Sequence, residues 1–146
     1  VLLHPKGLSL LGELLADTLA GEKFNAIGGL EAGAIPMVSA VLKGFYDRER
    51  YDVEGFFVRK QAKQHGSQSL IEGTVNKGDR VVILDDVLTT GNSALTAIKA
   101  VEAAGAYVIR VICICDRKQG ARDLLSNYDF RPLFTVKDFG LEPEKN

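Results

Sequence analysis

Two adjacent carboxylates, Asp85 and Asp86, are the residues of this chain whose position points most clearly to chemistry. They follow an apolar run at residues 81–84 and precede a Thr-Thr-Gly-Asn-Ser stretch at residues 89–93, after which a helical pattern begins at Ala94. A β-branched run of this kind is typical of a strand buried on both faces. The pattern therefore predicts a strand, an acidic edge, a hydroxyl-rich turn and a helix.

The turn at residues 89–93 and the two acids suit different parts of one ligand. The turn would place backbone N–H groups and three hydroxyls at a helix N-terminus, where unpaired amides and the helix dipole favour an anion such as phosphate. Carboxylates repel an anion, but they accept hydrogen bonds from sugar hydroxyls, and a divalent cation nearby offsets their charge. A ligand with a phosphate at one end and a diol at the other fits this stretch, and ribose 5-phosphate is such a ligand.

The composition is typical of a globular protein, with 46% hydrophobic and 25% charged residues in a chain of 146. Eighteen basic and nineteen acidic residues give a net charge of −1, so no basic field exists that would recruit nucleic acid or an anionic membrane. The apolar stretches at residues 34–42 and 107–115 are too short to span a bilayer, and no signal peptide is recognised. We therefore expect a single domain, residues 1–146, that binds neither nucleic acid nor membrane.

Helix and strand signals alternate along the chain. Helices are predicted from Pro5 to a cap at Gly21, over residues 35–45, from Ala94 to Gly105 and over residues 121–128; strands over residues 24–29, 53–58, 81–84, 107–115 and 130–135; and a closing turn over residues 136–140. This alternation predicts an α/β fold with a mainly parallel, doubly wound sheet. The only cysteines, Cys113 and Cys115, are predicted to be reduced core thiols of the kind that cytosolic proteins keep, so we expect a cytoplasmic protein.

Glycines after the first predicted strand suggest a second anion site. Residues 24–35 have the same order of strand, glycine-rich turn and helix as residues 81–94. One interpretation is an anion-binding loop around residues 30–33. The other, equally supported by these residues alone, is that the glycines only permit a tight turn.

A cationic segment, residues 59–69, contains Arg59, Lys60, Lys63 and His65 with almost no apolar side chain. Such a segment cannot bury itself, which predicts a mobile loop. By itself it could be an ordinary solvated loop. Beside two anion sites, it could instead be a flap that closes over a highly charged ligand and stabilises a departing anion.

Residues 81–93 resemble the phosphoribosyl-pyrophosphate (PRPP) motif of type I phosphoribosyltransferases. Within that group, Phe-Val-Arg-Lys-x-x-Lys-x-His-Gly at residues 57–66, with Leu-Ile-Glu-Gly at residues 70–73, resembles the catalytic loop of orotate phosphoribosyltransferases. Cys-Asp-Arg-x-x-Gly at residues 115–120 is similar to the segment whose arginine contacts orotate in that family. The resemblance implies the type I fold and transfer of ribose 5-phosphate from PRPP to orotate, giving orotidine 5′-monophosphate and pyrophosphate.

The resemblance also implies the site residues. The expected PRPP-binding residues are Arg59, Lys60, Lys63, His65, Asp85, Asp86, Val87, Leu88, Thr89, Thr90, Gly91, Asn92 and Ser93. The expected orotate-binding residues are Thr89 and Arg117, and the expected pyrophosphate loop is Leu30, Glu31, Ala32 and Gly33. The residues expected to act in catalysis are Lys63, His65, Asp85 and Asp86.

Mg²⁺ is implied as the cofactor, held mainly by PRPP with no direct protein ligand. A homodimer is implied as well, in which the loop at residues 59–70 acts on the partner's site.

Two features depart from the family pattern: the pyrophosphate loop has no basic residue, and the N-terminal hood segment that helps to enclose the base is absent. The alternatives are a phosphoribosyltransferase for another base and a PRPP-sensing regulatory module. The loop cations and Arg117 favour orotate as the substrate. A regulatory module should carry a DNA-binding segment, and the sequence shows no helix-turn-helix pattern.

Overall fold

The computed structural model describes residues 1–62 and 69–143 of the chain. In these ranges, the helices are α1 (Pro5–Thr18), α2 (Ala34–Tyr46), α3 (Asn92–Ala103) and α4 (Ala121–Leu124), with a 3-10 turn at Val136–Phe139. The strands are β1 (Ala26–Leu30), β2 (Glu54–Val58), β3 (Ile71–Gly73), β4 (Arg80–Leu88), β5 (Tyr107–Asp116) and β6 (Phe130–Thr135). Within the described part of the chain, no helix is both long and apolar enough to cross a membrane.

The strands form one sheet in the order β3-β2-β1-β4-β5-β6. Neighbouring strands run parallel, except that β3 pairs with β2 in the antiparallel direction. This topology confirms the prediction of an α/β fold with a mainly parallel sheet. Because parallel strands need crossover connections, the helices cover the faces of the sheet and leave the carboxyl ends of β1, β4 and β5 at one edge.

Buried side chains form a core on each face of the sheet. Val81 and Ile83 of β4 lie in the cluster that contains the buried face of α3, whereas Val82 and Leu84 lie in the cluster that contains α1 and α2. This alternation is that of a strand covered on both faces, as the apolar run predicted. The two cores hold β4 rigidly, so the residues at its carboxyl end are positioned by the most buried element of the fold.

The central strand is longer than predicted. β4 continues through Asp85 and Asp86 to Leu88, because its backbone remains paired with β5 as far as Asp116. The predicted strand end at residue 84 is therefore wrong. Backbone pairing does not depend on the charge of the side chains, which alternate to either side of the sheet. α3 also begins two residues before the predicted start at Ala94.

Other elements also differ from the prediction. Residues 71–73, for which no strand was predicted, form β3, which satisfies the backbone groups on the edge of β2. The fourth helix ends at Leu124 rather than at residue 128. The cap of α1 is Leu19 rather than Gly21.

Both cysteines are free, as predicted. Cys113 is buried in the core beside α3, and Cys115 is partly buried two residues further along β5. Burial raises the pKa of the Cys113 thiol, and the nearby carboxylates of Asp116 and Asp85 raise it further. The thiol is therefore a core side chain held in its neutral form.

Candidate active site

The turn between β4 and α3 is the stretch for which a phosphate cradle is predicted. Gly91 adopts a left-handed conformation, with φ of 90°, and caps α3 without a side-chain hydrogen bond. A glycine accepts this conformation at no steric cost, and it lets the chain reverse directly into the helix. The first-turn amides, which begin at Asn92, have no partner within the helix, so they can bind an anion. Asn92 Nδ2 also donates to Thr90 Oγ1 at 2.9 Å, within the same turn.

Asp85 and Asp86 are adjacent but lie in different environments, because successive side chains of a strand point to opposite faces. Asp85 is 6% exposed, and its Oδ2 accepts a hydrogen bond from the Ser93 hydroxyl at 2.6 Å. Asp86 is half-buried, and its Oδ1 accepts a hydrogen bond from the Val87 amide at 2.7 Å. Asp85 is therefore fixed from within the motif, while Asp86 stays accessible to a ligand.

The pKa of Asp85 is raised from 3.8 to about 6. Burial is the main cause, the hydrogen bond from Ser93 opposes the rise, and the neighbouring Asp86 carboxyl adds to it. The carboxyl is therefore ionised at neutral pH but takes up a proton at mildly acidic pH. Sugar hydroxyls or a cation beside it would stabilise the ionised form.

The remaining predicted residues of the motif differ in how far their side chains are buried. The Leu88 side chain is fully buried in the core, so any ligand contact at this position would be made by its backbone. Val87 is 45% exposed and Thr89 is partly buried, so both side chains can face a ligand. Ser93 offers its backbone amide to a phosphate, since its hydroxyl is engaged with Asp85.

The predicted pyrophosphate loop lies directly against the acids of β4. It follows β1 and leads into α2, and a Cβ atom added at Gly33 would lie 2.9 Å from Oδ1 and 3.1 Å from Oδ2 of Asp86. A side chain at position 33 would force the Asp86 carboxylate to shift. The structure thus brings together two glycine-containing turns that are far apart in the sequence.

The amides of the loop are not all available to an anion. Glu31 N donates to Val58 O at 2.8 Å and so continues the pairing of β1 with β2. That backbone amides of about residues 30–33 bind pyrophosphate stays a prediction, and the Glu31 amide is already engaged. The amides of Ala32 and Gly33, where the loop turns into α2, are the better candidates. The peptide bond between Glu31 and Ala32 is cis.

The first cations of the predicted catalytic loop lie beside the pyrophosphate loop. Lys60 N donates to Glu31 Oε1 at 2.7 Å, which ties the two loops together at their bases. Arg59 Nε lies 3.1 Å from Glu72 Oε1 of β3, an ion pair without an aligned hydrogen bond. Lys63 and His65 fall outside the described residues, so their roles stay predictions.

Arg117 is held at the end of β4 by its backbone. Its amide donates to Leu88 O at 2.9 Å, one residue before Thr89, and its side chain is partly buried. The two residues predicted to bind orotate therefore belong to neighbouring strand ends. This arrangement follows from the parallel pairing of β4 with β5.

The sequence analysis named Ser93 and Glu31 as site residues but missed the contacts that they make. The Ser93 hydroxyl was assigned to phosphate but donates to Asp85, and the Glu31 carboxylate accepts a hydrogen bond from the backbone of Lys60. A Ser eight residues after a strand acid, on the first turn of a helix, is a signal that could have suggested the first contact. Nothing local in the sequence signals the second, because its partners follow two different strands.

The family profile of the phosphoribosyl transferase domain matches residues 2–140. An orotate phosphoribosyltransferase of Rhodopirellula baltica is 40% identical over 151 residues, an alignment that covers 98% of this chain and 78% of the relative. This chain belongs to the orotate phosphoribosyltransferase family.

Solved structures of the orotate phosphoribosyltransferase family have the same fold. The enzyme of Mycobacterium tuberculosis in complex with Fe(III) dicitrate has a TM-score of 0.84 and 37% identity, over 96% of this chain and 79% of that chain. The same enzyme in complex with PRPP has a TM-score of 0.80 and 33% identity, over 96% of this chain and 80% of that chain. The predicted fold class and family are thereby confirmed.

The donor set at the orotate phosphoribosyltransferase site fits Mg²⁺ in one particular manner. Mg²⁺ prefers hard oxygen ligands and keeps several ligands from water or substrate phosphates. Asp85 and Asp86 offer carboxylate oxygens at the edge of the sheet, and the described residues contain no group of three or more His, Cys, Asp or Glu side chains that could hold a metal. The two carboxylates of Asp85 and Asp86 are ligands of the type that Mg²⁺ accepts.

Proposed function

We propose that this chain transfers the 5-phosphoribosyl group of PRPP to N1 of orotate and releases pyrophosphate, giving orotidine 5′-monophosphate. The observation that carries the proposal is the close approach of Gly33 to the Asp86 carboxylate, whose Oδ1 would lie 2.9 Å from a Cβ atom at position 33. It joins an anion-binding loop to the acids, and the phosphate cradle follows on the same strand. PRPP presents pyrophosphate, a ribose diol and a phosphate in that order. Membership of the orotate family supports orotate as the acceptor.

In this proposal, each stretch binds one part of the substrates. Asp85 and Asp86 accept hydrogen bonds from the ribose hydroxyls, and the amides of residues 89–93 bind the 5-phosphate. Amides around Gly33 bind pyrophosphate. Arg117 meets the carboxylate of orotate, because a guanidinium pairs with a carboxylate through two parallel hydrogen bonds.

The bond between C1 of ribose and the pyrophosphate oxygen breaks, and pyrophosphate leaves with the electron pair. N1 of orotate gives up its proton to pyrophosphate or water and bonds to C1. The anomeric carbon becomes oxocarbenium-like in the transition state. Orientation and charge stabilisation therefore carry the rate, and no protein nucleophile is required. Arg59, Lys60, Lys63 and His65 are the cations that we assign to the leaving pyrophosphate.

Mg²⁺ is the cofactor that we assign, bound mainly by PRPP oxygens near Asp85 and Asp86. When bound, it supplies positive charge that offsets the charge of the departing pyrophosphate. We also assign the protein to the cytoplasm, since its two cysteines are free.

The test is the loss of orotate absorbance with PRPP and Mg²⁺, measured beside a panel of purine bases and uracil. The proposal requires PRPP-dependent loss of orotate and preference for orotate over the panel. PRPP binding without turnover of any base would favour a PRPP-sensing module, and turnover of another base would favour the alternative transferase. Lys63→Ala should lower kcat, and Lys99→Ala, which removes an exposed lysine from α3, is the matched control.

We further propose that the chain works as a homodimer in which the loop at residues 59–70 acts on the partner's site. Mixed subunits test this arrangement. Lys63→Ala and Asp86→Asn should each be inactive alone, but a random mixture should regain about a quarter of wild-type activity, since one site of each hybrid dimer is intact. A mixture that stays inactive would contradict action in trans.

A further inference from the structure

Asp116 is a fully buried carboxylate at the end of β5 for which the proposed chemistry has no direct use. Its side chain is 0% exposed, and it immediately precedes Arg117. A buried charge is costly, and an apolar side chain of similar size would cost less at a purely structural position. The position therefore calls for an explanation beyond packing.

The two carboxylate oxygens of Asp116 face opposite sides of one turn. Oδ1 accepts a hydrogen bond from Lys118 N at 2.8 Å, and Oδ2 lies 3.4 Å from Arg122 Nε on α4 without forming a hydrogen bond. The carboxylate thus spans residues 117–120, from the end of β5 to the start of α4. Arg117 is the first residue of this turn.

The backbone of the turn needs such support. Lys118 has φ of 57°, a left-handed conformation that costs free energy for a residue with a side chain. The bond from its amide to Asp116 fixes this conformation. On the other side, the amide of Arg117 is bound to Leu88 O. Arg117 is therefore held between a bond to β4 and a turn that is closed by Asp116.

We infer that Asp116 is a positioning residue for orotate: its carboxylate fixes the turn at residues 117–120 so that Arg117 faces the base site. The inference rests on the proposed function, since it assigns Asp116 to the orotate half of that reaction. It predicts that loss of the carboxylate weakens orotate binding and leaves the PRPP half of the site intact. The PRPP half is built from other elements, β1, β4 and the start of α3.

Substitutions at Asp116 separate its two contacts. Asp116→Ala removes both, and the KM for orotate should rise about tenfold, as expected when a hydrogen bond that orients a binding residue is lost. Asp116→Asn keeps an acceptor for Lys118 N and should show a smaller rise. In both variants kcat and the KM for PRPP should be unchanged. Asp123→Ala, which removes an exposed carboxylate from α4, is the matched control.

Two double variants distinguish positioning from general stability. Lys118→Gly relieves the left-handed strain, so it should lower the raised KM of Asp116→Ala, because glycine adopts this conformation without support. In an Arg117→Ala background, Asp116→Ala should cause no further loss of kcat/KM for orotate, since its effect passes through the arginine. Thermal melting of each variant shows whether the fold is retained.

The outcomes separate the inference from the proposed function. No turnover of orotate by the wild-type protein would overturn the proposed function, and the inference with it. Wild-type turnover with an unchanged orotate KM in Asp116→Ala would overturn the inference alone. Equal losses for PRPP and orotate, or full additivity with Arg117→Ala, would also overturn it. If Asp116→Ala does not fold, Asp116→Asn and its Lys118→Gly double variant still give the same comparison.

Discussion

The hydroxyl of Ser93 donates a hydrogen bond across 2.6 Å to Oδ2 of Asp85, joining the first turn of α3 to the end of β4. This bond orients a buried carboxylate and favours its ionised form. It therefore links the end of the motif that we assign to phosphate to the acids that we assign to ribose.

Ser93→Ala should move the pH dependence of PRPP binding to higher pH. The hydrogen bond lowers the pKa of Asp85, which is about 6 with the bond in place, so the pKa rises when the bond is removed. As the pH falls, PRPP binding should therefore begin to weaken at a higher pH in the variant than in the wild type. The measurement is kcat/KM for PRPP between pH 5 and 8 in both proteins. Titration of PRPP itself affects both pH curves equally, so it cannot cause a difference between them. If both proteins showed the inflection of kcat/KM at the same pH, the prediction would be contradicted.

Asp85→Asn should abolish activity but stabilise the fold at alkaline pH. A carboxyl whose pKa is raised on folding costs stability once it ionises, so the wild type loses stability as the pH rises from 3.8 through about 6. We expect a gain of about 2 kcal/mol in the free energy of unfolding at pH 8 and little gain at pH 4. Urea unfolding at the two pH values measures the difference. The half-buried Asp86→Asn should gain less, and an equal gain at both pH values would refute this account.

Gly33→Ala should weaken PRPP binding without unfolding the protein. The new Cβ would lie within 3.1 Å of both Asp86 carboxylate oxygens, so the side chain of Asp86 must shift. We expect a loss of about tenfold to a hundredfold in kcat/KM for PRPP, as for small displacements of positioned groups. Steady-state kinetics and thermal melting measure the two effects. Gly21→Ala is the control, since its added Cβ meets nothing within 4 Å; an equal loss there would point to a general effect.

Arg110→Ala should destabilise the fold and spare the site. Arg110 is buried and pairs with Glu22 at 2.6 Å and with Asp129 at 3.0 Å, so its removal takes this partner from Glu22 and leaves Asp129 paired with Arg131. We expect a loss of about 2 kcal/mol in the free energy of unfolding, as for charged hydrogen bonds whose remaining carboxylates are partly solvated, with unchanged KM values.

Arg131→Ala is the comparison for this network, because Arg131 pairs with the same Asp129 from an exposed position. It should cost less than about 1 kcal/mol, as exposed ion pairs do. Urea unfolding of both variants gives the comparison. Equal losses in the free energy of unfolding for the two variants would show that burial of Arg110 does not determine its contribution to stability.

Much of the site could be interpreted from the sequence because its parts are contiguous. Residues 81–93 carry the acids, the glycine turn and the helix start in one run, and the apolar periodicity predicts which strand they follow. The alternation of strands and helices likewise predicts a mainly parallel sheet. Such features depend on residues that are neighbours along the chain, and these can be identified directly from the sequence.

Element boundaries were less predictable. The acids belong to β4 because β5 continues to pair with it, and β3 forms because the edge of β2 offers backbone partners. Both results depend on which strands become neighbours. A local pattern contains no information about that choice.

The sequence by itself determined the fold class, the PRPP motif and the identity of the residues that carry charge. Only the tertiary structure decided that Gly33 meets Asp86, that Glu31 holds Lys60, and that Asp116 closes the turn behind Arg117. The first two contacts join segments that lie at the carboxyl ends of different strands, and the third depends on backbone dihedral angles. The physical cause of the first two is the parallel sheet, which brings the carboxyl ends of separate strands to one edge.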